Sequence, residues 1–333
     1  MPDAILRPPI RCPRPFSRGC FNGSVADPLA KRLVFVTGKG GVGRSTVALA
    51  LGISASRRGM QTIVAEVASQ EHASRVFRRA EVGFHEVEMR ENLWTISIDP
   101  DYSLREYLTL QAPVRAMGEM LSRSRVFTLL TAATPGLKEL VTIGKVWELA
   151  QPDRRVKQGR TYDLVVVDAP ATGHGIGILQ TPRTFASIAR VGPIRSQAEA
   201  LDRYFTDHER TGAVIVSLPE EMPVNEAEML ERELTENVGV AVDEVLMNAV
   251  YPERFSDADA ERLVRAADSV QGSARAAVRA ALSERRRALA HREQLDRLRR
   301  LVDAPVRTLP FMFDPELGEP AIERLADWVG GVG

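Results

Sequence analysis

The sequence has few features that would place it outside a reducing, aqueous compartment. Its 333 residues include only two cysteines, Cys12 and Cys20, which is too few for a disulfide-stabilised secreted domain. No apolar run approaches the roughly 20 residues that a membrane span needs, and the basic N-terminus lacks the apolar segment of a secretory signal. We therefore expect a cytoplasmic protein without stable membrane insertion.

Net charge and the spacing typical of metal ligands are also lacking. Lysine plus arginine and aspartate plus glutamate both number 44, so no overall field favours nucleic acid or an acidic membrane. The five histidines are scattered. One stretch, 284–300, holds seven arginines against three acids, but a solvated helix explains this better than nucleic-acid binding does. We expect no nucleic-acid partner.

Apolar runs alternate with helical patterns after residue 30. Strands are predicted at 32–37, 62–67, 93–98, 163–167, 213–218, 244–250 and 306–309. This alternation is typical of an α/β fold with a doubly wound, mainly parallel sheet that has helices on both faces. Residues 1–30 are rich in proline and arginine without periodicity, so we expect a disordered N-terminal arm before a domain over 31–330.

Two helical tracts depart from this alternation. Between residues 100 and 160 the strands stop and the apolar residues follow a helical pattern, which predicts a helical insertion. Its methionines, among them Met117 and Met120, would suit a groove for a hydrophobic protein client, although core packing or a dimer interface is the stronger expectation. The second tract, 257–302, carries Leu289 and other apolar residues on one face, for which we expect packing.

A glycine-rich segment joins the first predicted strand to the first predicted helix. Gly38 to Thr46, GKGGVGRST, fits the phosphate-loop pattern with Arg44 at the usual lysine position. Its glycines let main-chain N–H groups turn towards phosphate oxygens, and the helix N-terminus adds the positive end of its dipole. Ser45 supplies a hydroxyl suited to Mg²⁺. The segment therefore predicts binding of ATP with Mg²⁺.

Two cations distinguish this loop from the common form. A lysine at position 44 would place a compact charge over the β and γ phosphates, whereas the planar guanidinium of Arg44 keeps phosphate affinity but misplaces charge in the transition state. Lys39 directly follows the first glycine, a position from which a cation reaches across a dimer interface to the partner's nucleotide. Binding is therefore a firmer prediction than turnover.

An acidic residue ends the predicted strand DLVVVD at 163–168. Asp168 lies where phosphate-loop enzymes hold Mg²⁺, usually through water. The predicted metal-binding residues are therefore Ser45 and Asp168. The predicted catalytic residues are Lys39, Arg44 and Asp168.

The segment after this acid, PATGHG, together with the loop, resembles the ArsA family of ATPases. That family includes the arsenite-pump ATPase and the targeting factor for tail-anchored membrane proteins, and its similar string senses the γ-phosphate. TPGLKELVTIGKVWEL at 134–149, the stretch 218–252 and LPFMFDPELGEPAIERL at 309–325 also resemble family segments. The resemblance thus covers nearly all of 31–329.

This resemblance implies several roles. The chain would form a dimer with nucleotides at the interface and Lys39 acting in trans. Asn248, Pro310 and Phe311 would lie beside the adenine, and His174 would be a hydrogen-bonding residue of the switch loop. The full set of predicted nucleotide contacts is Gly38, Lys39, Gly40, Gly41, Val42, Gly43, Arg44, Ser45, Thr46, Asn248, Pro310 and Phe311.

The chain also departs from the family. An ungapped match places Ala68 where the family has an aspartate that serves the first switch, and alanine can neither orient water nor bind Mg²⁺. Glu66 points to the same side of the strand but would need a different backbone path to reach the γ-phosphate. No cysteine follows Cys20, which disfavours both metalloid transport and a zinc-binding pair.

Three functions stay open. The leading hypothesis is an ATP hydrolase whose dimer opens and closes with a client or partner, as a homodimer or a heterodimer with an ArsA-type paralogue. The alternative is a hydrolysis-impaired subunit that binds ATP and regulates an intact paralogue. A division-site-positioning or partition-type ATPase shares the two-cation loop, but PATGH and the short C-terminus disfavour it.

Overall fold

The computed structural model describes residues 27–67, 71–111, 136–154, 159–188, 192–267 and 269–331. Its centre is an eight-stranded sheet in the spatial order β3-β4-β2-β5-β1-β6-β7-β8. The strands are β1 (Leu33–Gly38), β2 (Thr62–Val67), β3 (Val87–Arg90), β4 (Leu93–Ile98), β5 (Leu164–Asp168), β6 (Thr211–Ser217), β7 (Val242–Val250) and β8 (Val306–Pro310). Among the strands in the described ranges, only β3 and β4 pair in antiparallel fashion, so the doubly wound, mainly parallel α/β fold is confirmed.

Helices connect these strands on both faces. They are α1 (Arg44–Arg57), α2 (His72–Val76), α3 (Pro100–Gln111), α4 (Leu137–Leu149), α5 (Thr172–Ile188), α6 (Pro193–Phe205), α7 (Glu221–Arg232), α8 (Asp257–Ala267), α9 (Gly272–Leu301) and α10 (Glu319–Val329). A π-helical turn, Glu233–Val238, continues α7. Within the ranges described, no helix is both long enough and apolar enough to cross a bilayer.

The core consists of two apolar layers, one on each face of the sheet. Leu33 and Phe35 of β1 enter one layer, with residues of α4, α5, α6, α7 and the end of α9. Val34 and Val36 enter the other layer, with α1 and α10. Burial on both faces explains why the central strands are continuous apolar runs. The parallel arrangement brings the carboxyl ends of β1, β2, β5, β6, β7 and β8 to one edge of the sheet.

The structure modifies the predicted boundaries in three places. Pro28–Ala30 form a 3₁₀ turn with Leu29 buried, so the folded part begins before residue 31, while residues 1–26 lie outside the described ranges. The predicted helical insertion contains α3 and α4, and its methionines fall in the undescribed stretch 112–135. The sequence missed β3, because this four-residue strand is only partly buried.

The second helical tract packs less than predicted. It divides into α8 and α9, and its apolar face is buried at Leu298 and Val302. Leu289 is 37% exposed, so its predicted packing is wrong. Only the second half of α9 passes alongside the sheet, which leaves the first half without a core to join.

Asp243 is a buried carboxylate at the amino-terminal edge of the sheet. Its side chain is 2% exposed, and its Oδ1 lies 3.5 Å from Lys31 Nζ. Burial raises the pKa of Asp243 to about 6; Glu244 adds to this rise, while Lys31 and His208 oppose it. Because the folded-state pKa exceeds the ordinary value, the stability that this group contributes is present at low pH and is lost as the pH rises through about 6.

We expect Asp243→Asn to remove this loss. Between pH 4 and pH 7, the unfolding free energy of the variant should gain about 2 to 3 kcal/mol relative to the wild type. Urea unfolding at pH 4, 5.5 and 7 measures the gain. Asp296→Asn, on the exposed surface of α9, is the control and should run parallel to the wild type. A variant that differs from the wild type by the same amount at every pH would contradict the prediction.

Candidate nucleotide site

The predicted phosphate loop lies between the end of β1 and the start of α1. Gly41 and Gly43 have φ values of 87° and 92°, in the left-handed region that side chains other than glycine rarely adopt. A Cβ atom at Gly38 would lie 2.3 Å from the carbonyl oxygen of Val216. Gly43 precedes the first turn of α1, which contains no acidic residue. The loop therefore has the backbone shape and the helix dipole of an anion site.

Asn248, at the carboxyl end of β7, supports this loop. Its Nδ2 donates to the carbonyl oxygen of Val42 at 2.9 Å, and its Oδ1 accepts from the N–H of Ala249 at 2.8 Å. A Cβ atom at Gly43 would lie 2.4 Å from this Nδ2. The sequence predicted an adenine contact at Asn248. In the structure, both the nitrogen and the oxygen of its side-chain amide form hydrogen bonds with main-chain groups, and this supporting role was not predicted.

Asp168 lies near the loop, at the end of the strand that pairs with β1. It is the last residue of β5 and is fully buried, and neither carboxylate oxygen accepts a well-formed hydrogen bond from a residue in the described ranges. Burial raises the pKa of Asp168, while the nearby Ser45 hydroxyl and Arg44 guanidinium oppose the rise. Buried carboxylates normally have partners. Ser45 and Arg44 offset the burial of this charge only in part, which is the electrostatic setting of a cation site.

The residues present fit Mg²⁺ bound together with phosphate. Mg²⁺ prefers one or two protein oxygens, with water and phosphate oxygens as its other ligands. Ser45 and Asp168 would supply those protein oxygens, directly or through water. No group of three or more histidine, cysteine, aspartate or glutamate residues suited to a metal occurs in the described part of the chain. A cation here would therefore depend on the nucleotide.

Arg44 lies between the loop and the segment after β5. Its guanidinium donates to the carbonyl oxygen of Ala169, the residue after Asp168. Burial lowers the pKa of Arg44, and the charge of Asp168 opposes this shift. The side chain is therefore held by main chain that leads to the predicted switch, which begins α5. The side chains of Thr172 and His174 in that switch lie outside the described residues.

Glu66 is next to Asp168 in register across β2 and β5. It is buried, and its carboxylate oxygens accept from the N–H groups of His72 at 3.0 Å and Ala73 at 2.7 Å. Burial raises the pKa of Glu66 to about 7; Asp168 adds to the rise, and both N–H groups oppose it. Because α2 occupies both oxygens, Glu66 does not replace the acid that is absent at Ala68, which itself lies outside the described ranges.

Lys39 is bound within its own chain. Its Nζ lies 2.9 Å from Oε1 of Glu226 on α7, and both side chains are about 30% exposed. The pair lies at the carboxyl edge of the sheet, because α7 follows β6 and the loop follows β1. The sequence did not predict Glu226 as the partner of this lysine.

An aromatic cluster marks the far end of the same edge. Phe311 follows β8, and its N–H donates to Val250. The Phe311 ring centroid lies 4.6 Å from that of Tyr251 and 4.9 Å from that of Phe313. The predicted base contacts Pro310 and Phe311 are thus three strands away from the loop in the sheet. Tyr251 and Phe313 were missed, because a single aromatic residue after a strand is not distinctive in sequence.

Comparison with known proteins identifies the family of the chain. The sequence model of the anion-transporting ATPase family matches residues 31–195 and 186–279. ATPase BagA of Mycobacterium tuberculosis is 26% identical over 250 residues, which are 72% of each chain. A putative arsenical pump-driving ATPase of Halobacterium salinarum is 27% identical over 238 residues, 68% of this chain and 36% of that protein. ATPase GET3 of Kluyveromyces lactis is 24% identical over 262 residues, 68% of this chain and 74% of that protein.

The family match begins at the first strand and covers the loop, Asp168 and the switch segment. These are the residues that the structure assembles at one edge of the parallel sheet. The chain therefore belongs to the anion-transporting, or ArsA-type, family of ATPases.

Proposed function

We propose that this chain binds ATP with Mg²⁺ at loop 38–46 and hydrolyses it slowly. The observation that carries the proposal is the fully buried carboxylate of Asp168, which lies beside the Ser45 hydroxyl at the start of α1. Main-chain N–H groups of the loop and the N-terminus of α1 would hold the phosphates. When bound, Mg²⁺ would neutralise charge on the phosphates. The family and its named ATPase relatives support this function.

Slow turnover follows from the residues around the phosphates. Arg44 is bulkier than lysine and donates to Ala169, so its charge is shared between the phosphate site and the segment after β5. The acid that would orient water is replaced by Ala68, and both oxygens of Glu66 cap α2. Each change weakens stabilisation of the transition state without removing the phosphate-binding backbone.

Dimer formation would couple the nucleotide to a partner. In the single chain, Glu226 holds Lys39 beside its own loop. A nucleotide on a second protomer would offer phosphate oxygens that compete with this carboxylate, so Lys39 would exchange one anionic partner for another as the dimer closes. Opening after hydrolysis would reverse the exchange. We propose that this cycle acts in the cytoplasm on a hydrophobic protein client or a partner chain.

A hydrolysis-impaired regulatory subunit is the second candidate. The arrangement of Glu66 favours it, because both oxygens of this acid, the one paired with Asp168 across the sheet, accept from N–H groups of α2 and are not available to orient water. In that case, an intact ArsA-type paralogue would supply hydrolysis within a heterodimer.

Variants that restore the family's lysine at position 44 and its aspartate at position 68 separate these two candidate functions. Phosphate release would be measured for the wild type, Arg44→Lys, Ala68→Asp and the double variant, with nucleotide binding measured in parallel. We expect Mg²⁺-dependent turnover in the wild type and at least about tenfold faster turnover in the double variant. Arg57→Lys, at the other end of α1, is the matched control and should leave turnover unchanged.

Each other outcome selects a different conclusion. Turnover in the repaired variants but none in the wild type would establish the regulatory subunit. No binding of ATP by any of the proteins would overturn the proposed function. ATP-dependent binding to DNA or liposomes would favour a division-site-positioning or partition-type ATPase.

A further inference from the structure

A second cavity lies at the edge of the sheet opposite to the phosphate loop. Its volume is about 420 Å³, and its walls include Trp94 of β4 and Tyr162, two residues before β5. Strands β4 and β5 both pair in parallel with β2, and each begins level with Thr62, the first residue of β2. The cavity is therefore at the amino-terminal edge, whereas the loop follows the carboxyl end of β1. It is separate from the candidate nucleotide site.

A network of buried ion pairs fixes one wall of this cavity. The Lys145 side chain is 5% exposed, and its Nζ lies 2.9 Å from a carboxylate oxygen of Glu106 and 3.4 Å from one of Glu148. Arg154, which is 1% exposed, pairs with Glu148 at 2.8 Å and with Glu86 at 2.6 Å. The network joins α3, α4 and the segment before β3. Because each member has charged partners, the polar groups on this wall are already held in place for a ligand.

Two charged groups that line the cavity keep capacity for a ligand. The guanidinium of Arg160 lies 4.3 Å from the centre of the Trp94 ring and forms no ion pair with a residue in the described ranges. None of the residues from 154 to 160 is acidic. Glu106 accepts from Lys145 through Oε1, and no residue that the structure describes donates to its Oε2. The cavity therefore offers one guanidinium and one carboxylate oxygen.

The charges of the cavity and of its supporting network balance. They are three cations and three carboxylates: Lys145, Arg154, Arg160, Glu86, Glu106 and Glu148. A ligand with a net charge would leave an uncompensated charge in this partly buried place, whereas a zwitterion would not. The planar fork of an arginine matches a carboxylate, and a glutamate oxygen accepts from an ammonium group. The two available groups thus fit the two ends of a zwitterion.

We propose that this cavity binds a small zwitterion of the amino-acid class, with its carboxylate on Arg160 and its ammonium group on Glu106. Phe84 and Trp94 supply aromatic surface for the carbon atoms between the two charges. The volume of the cavity lies in the range of small-molecule sites. This site goes beyond the proposed function, because none of its residues belongs to the phosphate loop or to the carboxyl edge of the sheet.

Titration of the full chain with a graded set of ligands tests the site. The set comprises the protein amino acids and the ω-amino acids from glycine to aminohexanoate, in which each step separates the two charges by one more methylene group. For the strongest ligand, the matching amine and the matching carboxylic acid each lack one charge. Isothermal titration calorimetry measures affinity. Tryptophan fluorescence reports on Trp94, because a carboxylate on Arg160 changes the charge beside this ring, and Trp94→Phe should remove that signal.

We expect at least one zwitterion to bind with a Kd below about 1 mM. Its amine and acid analogues should bind at least about tenfold more weakly, as should the zwitterion to Arg160→Gln and to Glu106→Gln, because each change removes one charged hydrogen bond. Arg210→Gln is the matched control for Arg160, since Arg210 also lies over an aromatic ring, that of Tyr204. Glu199→Gln, on the exposed side of α6, is the control for Glu106. Both controls should bind like the wild type.

Several results would overturn the proposal. One is a wild type that binds no member of the set with a Kd below about 10 mM. Another is an acid analogue that binds as tightly as the zwitterion, which would make the cavity a plain anion site. Unchanged affinity in Arg160→Gln, whose exposed side chain can be replaced without loss of the fold, would place any bound ligand elsewhere. Competition by ATP for the same ligand would place it at the phosphate loop.

Discussion

Replacement of Gly43 by alanine is expected to weaken ATP binding at least about 100-fold, which corresponds to about 3 kcal/mol. Gly43 has a φ of 92°, and an added Cβ atom would lie 2.4 Å from Nδ2 of Asn248. The loop would have to shift away from Asn248, which would break the hydrogen bond to Val42 and turn main-chain N–H groups away from the phosphates. Isothermal titration calorimetry with ATP and Mg²⁺ measures the loss.

Gly59→Ala is the matched control for this variant. Gly59 also has a positive φ, of 82°, but it ends α1 far from the loop and has open space around its Cα atom. Both variants should lose stability because of backbone strain, whereas only Gly43→Ala should lose affinity for ATP. If Gly43→Ala bound ATP within about threefold of the wild type, the loop would not be the phosphate site.

The sequence predicted the parallel sheet and the position of a glycine-rich loop between β1 and α1, because both depend on local patterns. The apolar runs of β1, β2 and β5 are continuous because both faces of those strands are buried. The segment from Gly38 to Thr46 matches a motif that few structures other than a phosphate loop share. The position of Asp168 at the end of a strand could be predicted because it ends such a run. In contrast, β3 is short and half-buried, so its residues have no distinctive pattern.

Contacts between distant segments could not be predicted in the same way. Asn248 lies 206 residues after Val42, and the pairing of Lys39 with Glu226 spans a similar separation. Glu66 was expected on the correct side of β2, but only the path of the chain to α2 decides that His72 and Ala73 occupy its oxygens. The contact of His291 in α9 with the main chain after β7 likewise joins distant segments, and helical periodicity alone does not predict it.

Asp168→Asn is expected to lower ATP turnover by about 100-fold or more while it makes the fold more stable. An amide is a poorer ligand for Mg²⁺ than a carboxylate, so the Mg²⁺ dependence of ATP binding should also decrease. Burial raises the pKa of this carboxylate, and Ser45 and Arg44 oppose the rise only in part, so removal of the charge should raise the unfolding free energy by about 1 to 3 kcal/mol. Phosphate release, binding at several Mg²⁺ concentrations and urea unfolding measure these effects.

Asp243→Asn separates the two effects, because it changes a second buried carboxylate with a raised pKa at the opposite edge of the sheet. Both variants should be more stable than the wild type at pH 7, but Asp243→Asn should keep full turnover and an unchanged dependence on Mg²⁺. Equal loss of turnover in both variants would trace the defect to the fold rather than to the site. Loss in Asp168→Asn alone, together with a gain in stability, would show that the buried charge is retained for function at a cost in stability.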